Sequence, residues 1–188
     1  LSFQSSGKNS STLNLPQEIT EDLLCEVLRH PTVASKGFLI TIGDRSVTGL
    51  IARDQFVGPW QVPVADYGLC KTSFAGNSGE AMAIGERTPL SLISSKSAAK
   101  ISVAEVITNI IPSGIAKLSD IKLSANWMGS PGKLDGNKDL FEAVEAIGMD
   151  LCPNWNIAIP VGKDSLSMST EWSEGKNDKS VISPLSLI

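Results

Sequence analysis

The chain has 188 residues, 41% of them apolar and 19% charged, a composition that buries a core of its own and excludes wholesale disorder. Its formal net charge is −4 and its Lys and Arg residues are scattered, which argues against nucleic acid as a partner. A phosphate ligand stays open, because metal ions and backbone amides supply positive field that net charge does not.

The length suits one domain, or one domain and part of another. Residues 1–15 are a polar, Ser-rich tether, and "LSFQSSGKNSST" has no basic n-region followed by an apolar core, so it is not a signal peptide. No apolar run approaches the roughly 20 residues that span a bilayer. "LPQEITEDLLCEVLRHP" begins with acids, carries Leu23, Leu24, Val27 and Leu28, and ends with basic residues before Pro31, which predicts a helix. "GFLITIG" is a short apolar run that suits a strand, and "GDRS" suits a turn. "SVTGLIARDQFVGPWQVPVADYGLCKTS" reads as two or three strands with a bend at Gly58-Pro59-Trp60 and an interruption at Pro63.

"AGNSGEAMAIGERTP" is Gly-rich and small, and suggests a loop with one turn of helix. A helix follows over 97–111, stopped by Pro112; Ile101, Val103, Ala104, Val106, Ile107, Ile110 and Ile111 cover most of its circumference and predict burial. "DIKLSANWM" suits a strand, "SPGKLDGNK" a loop, and "DLFEAVEAIGMDLC" an amphipathic helix with Leu140, Val144, Ile147 and Leu151 on one side. "NIAIPVGKDSLSMSTEW" reads as a strand running into a Gly-Lys-Asp-Ser turn, and "SEGKNDKS" as a polar hairpin or loop before a last strand. Strands and helices alternate, which indicates α/β or α+β architecture. The division expected is a linker at 1–15, a main domain at 16–172, and the opening of a following α+β domain at 173–188. Both ends look cut, as in a fragment of something larger.

Cys25, Cys70 and Cys152 are far apart and odd in number, so neither a disulfide framework nor a CxxC metal site is implied; they read as buried thiols of a reducing, cytoplasmic compartment. His30 is the one histidine, which excludes two-histidine metal sites, and its place before Pro31 suits a helix cap. "GEAMAIGERTP" lacks the G-x-x-x-x-G-K-[ST] pattern of a P-loop, and "VGKDS" has only half of one.

The informative pattern is in the apolar helix. Ala98, Ser102, Glu105 and Asn109 form a narrow stripe on one face, small at one end and polar at the other. A buried carboxylate costs several kcal/mol unless it is paired or metal-bound. Glu105 therefore pairs with an internal Lys or Arg, or joins Asn109 as a hard oxygen ligand of the kind Mg²⁺ takes beside phosphate. Asp66 in "VPVADYG" follows a strand-like run and stands at a strand end, where α/β sheets build ligand sites and where turn or cap carboxylates are also common. Lys36 precedes an apolar run and either reaches a phosphate or lies in solvent.

Five stretches in order, "HPTVASKGFLITIGDRSVTGLIARDQFVGPWQVPVADYG", "GEAMAIGERTP", "AEVITNI", "IKLSANWM" and "IPVGKDSLSMST", resemble the formylglycinamide ribonucleotide amidotransferases, the large single-chain form of phosphoribosylformylglycinamidine synthase. The resemblance runs from about residue 16 to the end. It implies the second of two aminoimidazole ribonucleotide synthetase-like halves, whose N-terminal-type α/β domain lends a mixed sheet to a central barrel. It further implies an auxiliary ADP or ATP held with Mg²⁺, with Lys36 and Asp66 toward nucleotide and Asp66, Glu105 and Asn109 toward metal. The family is an ATP- and glutamine-dependent ligase of purine biosynthesis. Its partners here would be the other synthetase half and a glutaminase domain of the same polypeptide, and its substrates formylglycinamide ribonucleotide and glutamine. No catalytic residue, nucleic acid or membrane is implied for this segment. The alternatives are a nucleotide-stabilised lobe without chemistry of its own, or another aminoimidazole ribonucleotide synthetase relative, against which "GEAMAIGERTP" and "KLSANWM" speak. Arg87, Asn126 and Trp127 lie in family-like stretches and receive no role.

Overall fold

Thr20 opens the first helix, α1 (Glu21–Arg29), by accepting a hydrogen bond from the Leu23 amide at 3.2 Å. Glu21 and Asp22 occupy its first turn and Arg29 its last, each on the side that complements the helix dipole. His30 ends it: its amide donates to the Val27 carbonyl, and its Nδ1 accepts from the Thr32 amide at 3.2 Å, the cap expected for the lone histidine. The computed structural model describes residues 16–42, 49–62 and 64–188. The tether at 1–15, the "GDRS" turn and Pro63 lie outside the described residues.

The run expected as a strand at "GFLITIG" is instead a short helix, α2 (Gly37–Ile42). Ser35 Oγ accepts from the Gly37 amide at 3.3 Å, and the Leu39 amide donates to the Lys36 carbonyl, so local bonds start a helical turn. An unbroken apolar run has no alternation to separate strand from helix.

Three antiparallel strands follow in spatial order β1-β2-β3: β1 (Ile51–Arg53), β2 (Tyr67–Lys71) and β3 (Gly79–Ala83). The excursion between β1 and β2 bends at Gly58 (φ 77°), as expected at Gly-Pro-Trp, and closes through a bridge between Phe56 and Val64. β3 corrects the loop expected at "GEAMA". Its inward residues Ala81 and Ala83 pack against the core, while Glu80 and Met82 are exposed, so the period-2 pattern is present but muted by small side chains. Gly79 is required there: a Cβ would stand 2.6 Å from the Cys70 carbonyl oxygen of β2.

The long helix is α3 (Ser95–Ile110), capped by Ser94, whose Oγ accepts from the Ser97 amide. Pro112 converts its end to a 3₁₀ turn that Gly114 closes at φ 94°. Ala99, Val103, Ile107 and Ile110 enter the core, whereas Ile101 and Ile111 are exposed at 43% and 50%. The helix is therefore buried along one broad face and not all round.

The second sheet has order β5-β4-β8, with β4 (Lys122–Met128) parallel to β5 (Ala158–Ser165) and antiparallel to β8 (Ser186–Leu187). Between β4 and β5 the chain forms α4 (Gly136–Glu145), a π-helical stretch at Ala146–Leu151, and α5 (Cys152–Trp155). The inward face runs Leu140, Ala143, Ile147, Leu151; Val144, expected there, is 43% exposed while Ala143 is fully buried. "GKDS", expected as a turn, lies within β5, where Gly162, Lys163, Asp164 and Ser165 pair in register with Ala125 through Met128. The polar stretch before the last strand is a hairpin of β6 (Ser169–Glu174) and β7 (Asn177–Ile182), turned by Gly175 at φ 66°. Residue 173 thus falls inside β6.

The core joins α3, α4 and the π stretch to both three-stranded sheets. Mixed α/β architecture is as expected; among the described residues the sheets are separate and none closes into a barrel. All three cysteines are free; Cys152 is buried, which pushes its thiol above the usual range, while Cys25 and Cys70 are half-buried. No helix among the described residues is long and apolar enough to cross a membrane.

Candidate functional site

β3 leaves its sheet at Ala83, and residues 84–87 cross the face of α3 that carries the polar stripe. Asn109 Nδ2 donates to the Ile84 carbonyl at 2.9 Å. One step on, Gly85 lies against the helix backbone: a Cβ there would stand 2.3 Å from the Ser102 carbonyl oxygen and 2.6 Å from the Val106 nitrogen. The Glu86 amide donates to Glu105 Oε2 at 2.7 Å. Arg87 Nη2 then pairs with Glu105 Oε1 at 2.7 Å, and its Nη1 donates to the Glu86 carbonyl at 2.9 Å. The crossing explains the composition of the stripe. Ser102 is small because backbone passes over it, and Glu105 and Asn109 are polar because they satisfy that backbone.

The crossing is anchored beyond Arg87 as well. Glu86 Oε1 accepts from the Thr88 amide, and the Thr88 hydroxyl bonds Ser186 of β8. Pro89 then lies in a 3₁₀ turn at Thr88–Leu92 that leads into α3.

Asp66 arrives from the neighbouring strand. Tyr67 stands opposite Ala83, so Asp66 is one residue outside the ladder at the sheet end where Ile84 departs. The Tyr67 hydroxyl donates to the Pro112 carbonyl at 3.3 Å, tying that end of β2 to the end of α3. Asp66 is exposed, and Glu105 and Asn109 are half-buried. The fold thus brings Glu105 and Asn109 against the segment leaving β3, and leaves Asp66 exposed one residue beyond the ladder at that end of the sheet. It adds Arg87, to which the sequence assigned no role although "GER" preceding a helix with an inward Glu was its visible signal.

Lys36 is placed differently. It is exposed in the turn before α2, where its ammonium donates to the carbonyls of Thr32 (3.1 Å) and Ala34 (2.7 Å). The hydrogen bonds of Lys36 tie it to its own turn and not to Glu105. Among the described residues no three His, Cys, Asp or Glu side chains are grouped as a metal site. The candidate donors are two carboxylates and one amide, so a metal held there needs phosphate or water oxygens to complete its shell. The donor set fits that demand, and the Arg87 guanidinium already stands as a positive charge on Glu105.

An apolar cavity of about 440 Å³ adjoins the crossing, between β3, α3 and β4, lined by Ile84, Gly85, Ser102, Val106, Leu123 and Leu187 among others. Lys36, Asp66, Glu105 and Asn109 do not line it.

The class the fold defines is a mixed α/β lobe with a polar cluster at the end of one sheet. Residues 35–188 match the model of the FGAR-AT PurM_N-like domain, and the chain belongs to that family. It is 57% identical over 169 residues to a protein of Schizosaccharomyces pombe named phosphoribosylformylglycinamidine synthase. That alignment covers 89% of this chain and 13% of the relative, so the chain spans about an eighth of the length of the protein it matches.

Proposed function

We propose that this chain is the nucleotide-holding lobe of an ATP- and glutamine-dependent formylglycinamidine ribonucleotide synthase, a carbon–nitrogen ligase of purine biosynthesis in the cytoplasm. In this reading Asp66, Glu105 and Asn109 face Mg²⁺, Asp66 also faces the nucleotide, and Lys36 turns from its own carbonyls to balance phosphate charge. A bound Mg²⁺ would supply the positive field that joins two carboxylates to phosphate oxygens. The chain's own residues would do the rest: α3 holds Glu105 and Asn109 one turn apart, and Asp66, just before β2, would turn toward them. The nucleotide is ADP or ATP, and its role here is structural.

The reaction itself then belongs to the complete polypeptide. Its other synthetase half, a glutaminase domain, formylglycinamide ribonucleotide and glutamine are the partners and substrates of that parent. In this reading the chain's mixed sheet would join a central barrel with the other half. Residues 16–172 are then the synthetase-like domain, and 173–188 open the following α+β domain.

The observation that supports the reading is that Glu105 and Asn109 both reach the segment leaving β3, at the sheet end beyond which Asp66 lies, in a chain of this family. The test is the nucleotide content of the purified full-length protein, released by denaturation and separated by chromatography, beside a Glu105→Ala, Asn109→Ala double variant. Near-stoichiometric ADP or ATP in the parent, lost in the variant, is expected. A parent without nucleotide and a variant that folds normally would make Glu105 an ordinary ion-pair partner of Arg87.

A further inference from the structure

The two oxygens of Glu105 are held in different ways. Oε2 accepts from the Glu86 backbone amide at 2.7 Å, and that amide belongs to a segment pressed onto α3 at Gly85, where no side chain fits. Oε1 is held by the Arg87 guanidinium at 2.7 Å, at the end of a flexible arm that is 49% exposed, while Glu105 is 21% exposed. One oxygen is fixed by main chain; the other is held by a group that can swing into water. Arg87 also keeps a partner of its own when it leaves, the Glu86 carbonyl at 2.9 Å.

We propose that Arg87 is an exchangeable counter-ion: it holds Glu105 Oε1 in the metal-free chain and yields that oxygen to the divalent cation of a bound Mg-nucleotide. The inference rests on the nucleotide-site reading given above and adds a device to it. A half-buried carboxylate without a cation is costly, so Arg87 keeps the cluster folded before loading. A guanidinium 2.7 Å from Oε1 repels a divalent cation arriving at the same oxygen, so the two compete and loading favours exchange. Because Oε2 stays on the Glu86 amide throughout, Glu105 is aimed before and after the exchange. A partly exposed pair of this strength favours the closed arrangement by about fivefold, and apparent affinity falls by the same factor.

The test uses the full-length protein stripped of nucleotide and titrated calorimetrically with ADP in saturating Mg²⁺, as wild type, Arg87→Gln, Glu105→Gln and the double variant. Arg87→Gln is expected to bind Mg-ADP about fivefold more tightly, and Arg87→Lys, which keeps a charge without the fork, to fall between. Glu105→Gln binds more weakly, and adding Arg87→Gln to it changes nothing further. Thermal unfolding is the second readout. Arg87→Gln melts below wild type without Mg-ADP, and the gap closes at saturation, which a merely structural ion pair would not show. Weaker binding by Arg87→Gln would make Arg87 a phosphate ligand and overturn the proposal. Equal tightening in the Glu105→Gln background would assign the effect to long-range charge, and unchanged binding would show no competition; both overturn it. Wild type that binds no Mg-ADP overturns the nucleotide-site reading itself, a result distinguishable from all of these.

Discussion

Helices α1 and α3 reverse the usual relation between sequence signal and burial. α1 has every local mark of a helix: a Thr cap, acids first, a base last, and an apolar stripe of Leu24, Val27 and Leu28. Yet none of its residues is buried, and those three are 53%, 49% and 65% exposed. α3 has a blurred stripe, with apolar residues almost all round, and it is the helix on which the core and the candidate site are built. Amphipathicity reports that a face wants cover; it does not report which element supplies it. For α3 the cover is specific: core side chains on one side and the backbone of residues 84–87 on another.

The comparison breaks most readily at the seam between α3 and the helix that packs on it. Ile147 is fully buried in the shared core, so Ile147→Ala should cost about 4 kcal/mol in denaturant unfolding. A loss under about 1 kcal/mol would mean that the seam is not the stabilising contact described here. Gly85→Ala comes next. Its Cβ would meet main chain of α3 at 2.3 Å, and backbone cannot rotate away as a side chain can, so a cost of about 2 kcal/mol is expected. If Gly85→Ala unfolds at the wild-type midpoint, the close crossing is wrong.

On α1 the expected effects are smaller and local. Thr20→Ala removes the cap and should weaken the helix by about 1 kcal/mol, seen as faster amide exchange confined to α1. Leu28→Ala, on the exposed stripe, should shift global stability by no more than about 0.5 kcal/mol. A large effect there would show that α1 docks on the described core after all.

The smallest expected effect is the pH dependence of a pair that braces α3. Lys100 bonds Asp150 of the π stretch, and this partner holds the Asp150 carboxyl below its ordinary value of 3.8. A depressed carboxyl stabilises the fold above its unfolded value and loses that contribution as pH falls through the folded one. Wild type and Asp150→Asn should therefore differ slightly near neutrality and converge as the medium is acidified below 3.8. Parallel stability curves over that range would remove the pair from the account of α3.

Much of the fold is legible along the chain because its signals are local. The acids-first, base-last order of α1, the stop at Pro112, the bend at Gly58 and the strand at "KLSANWM" each act within a few residues. The failures have one physical origin. "GFLITIG", "GEAMA" and "GKDS" carry weak or ambiguous periodicity; local bonds at Ser35 and Lys36 turn the first into helix, while the β2 edge opposite Gly79 and the β4 edge opposite Gly162 make strands of the other two. Ala143 replaces Val144 on the inward face of α4 because position against neighbours, not hydrophobicity, selects which residue is enclosed.

The candidate site divides in the same way. From the sequence alone come a polar stripe of Ser102, Glu105 and Asn109 on an apolar helix, an Asp at a strand end, and two open readings of Glu105, ion pair or metal ligand. Tertiary structure alone decided that Ile84–Arg87 crosses that stripe, that Gly85 admits the crossing, and that Arg87 is the cation on Glu105. The reason is distance along the chain: Glu105 and Glu86 are joined across 19 positions, and only a folded core brings a strand exit and a helix face close enough to exchange a hydrogen bond.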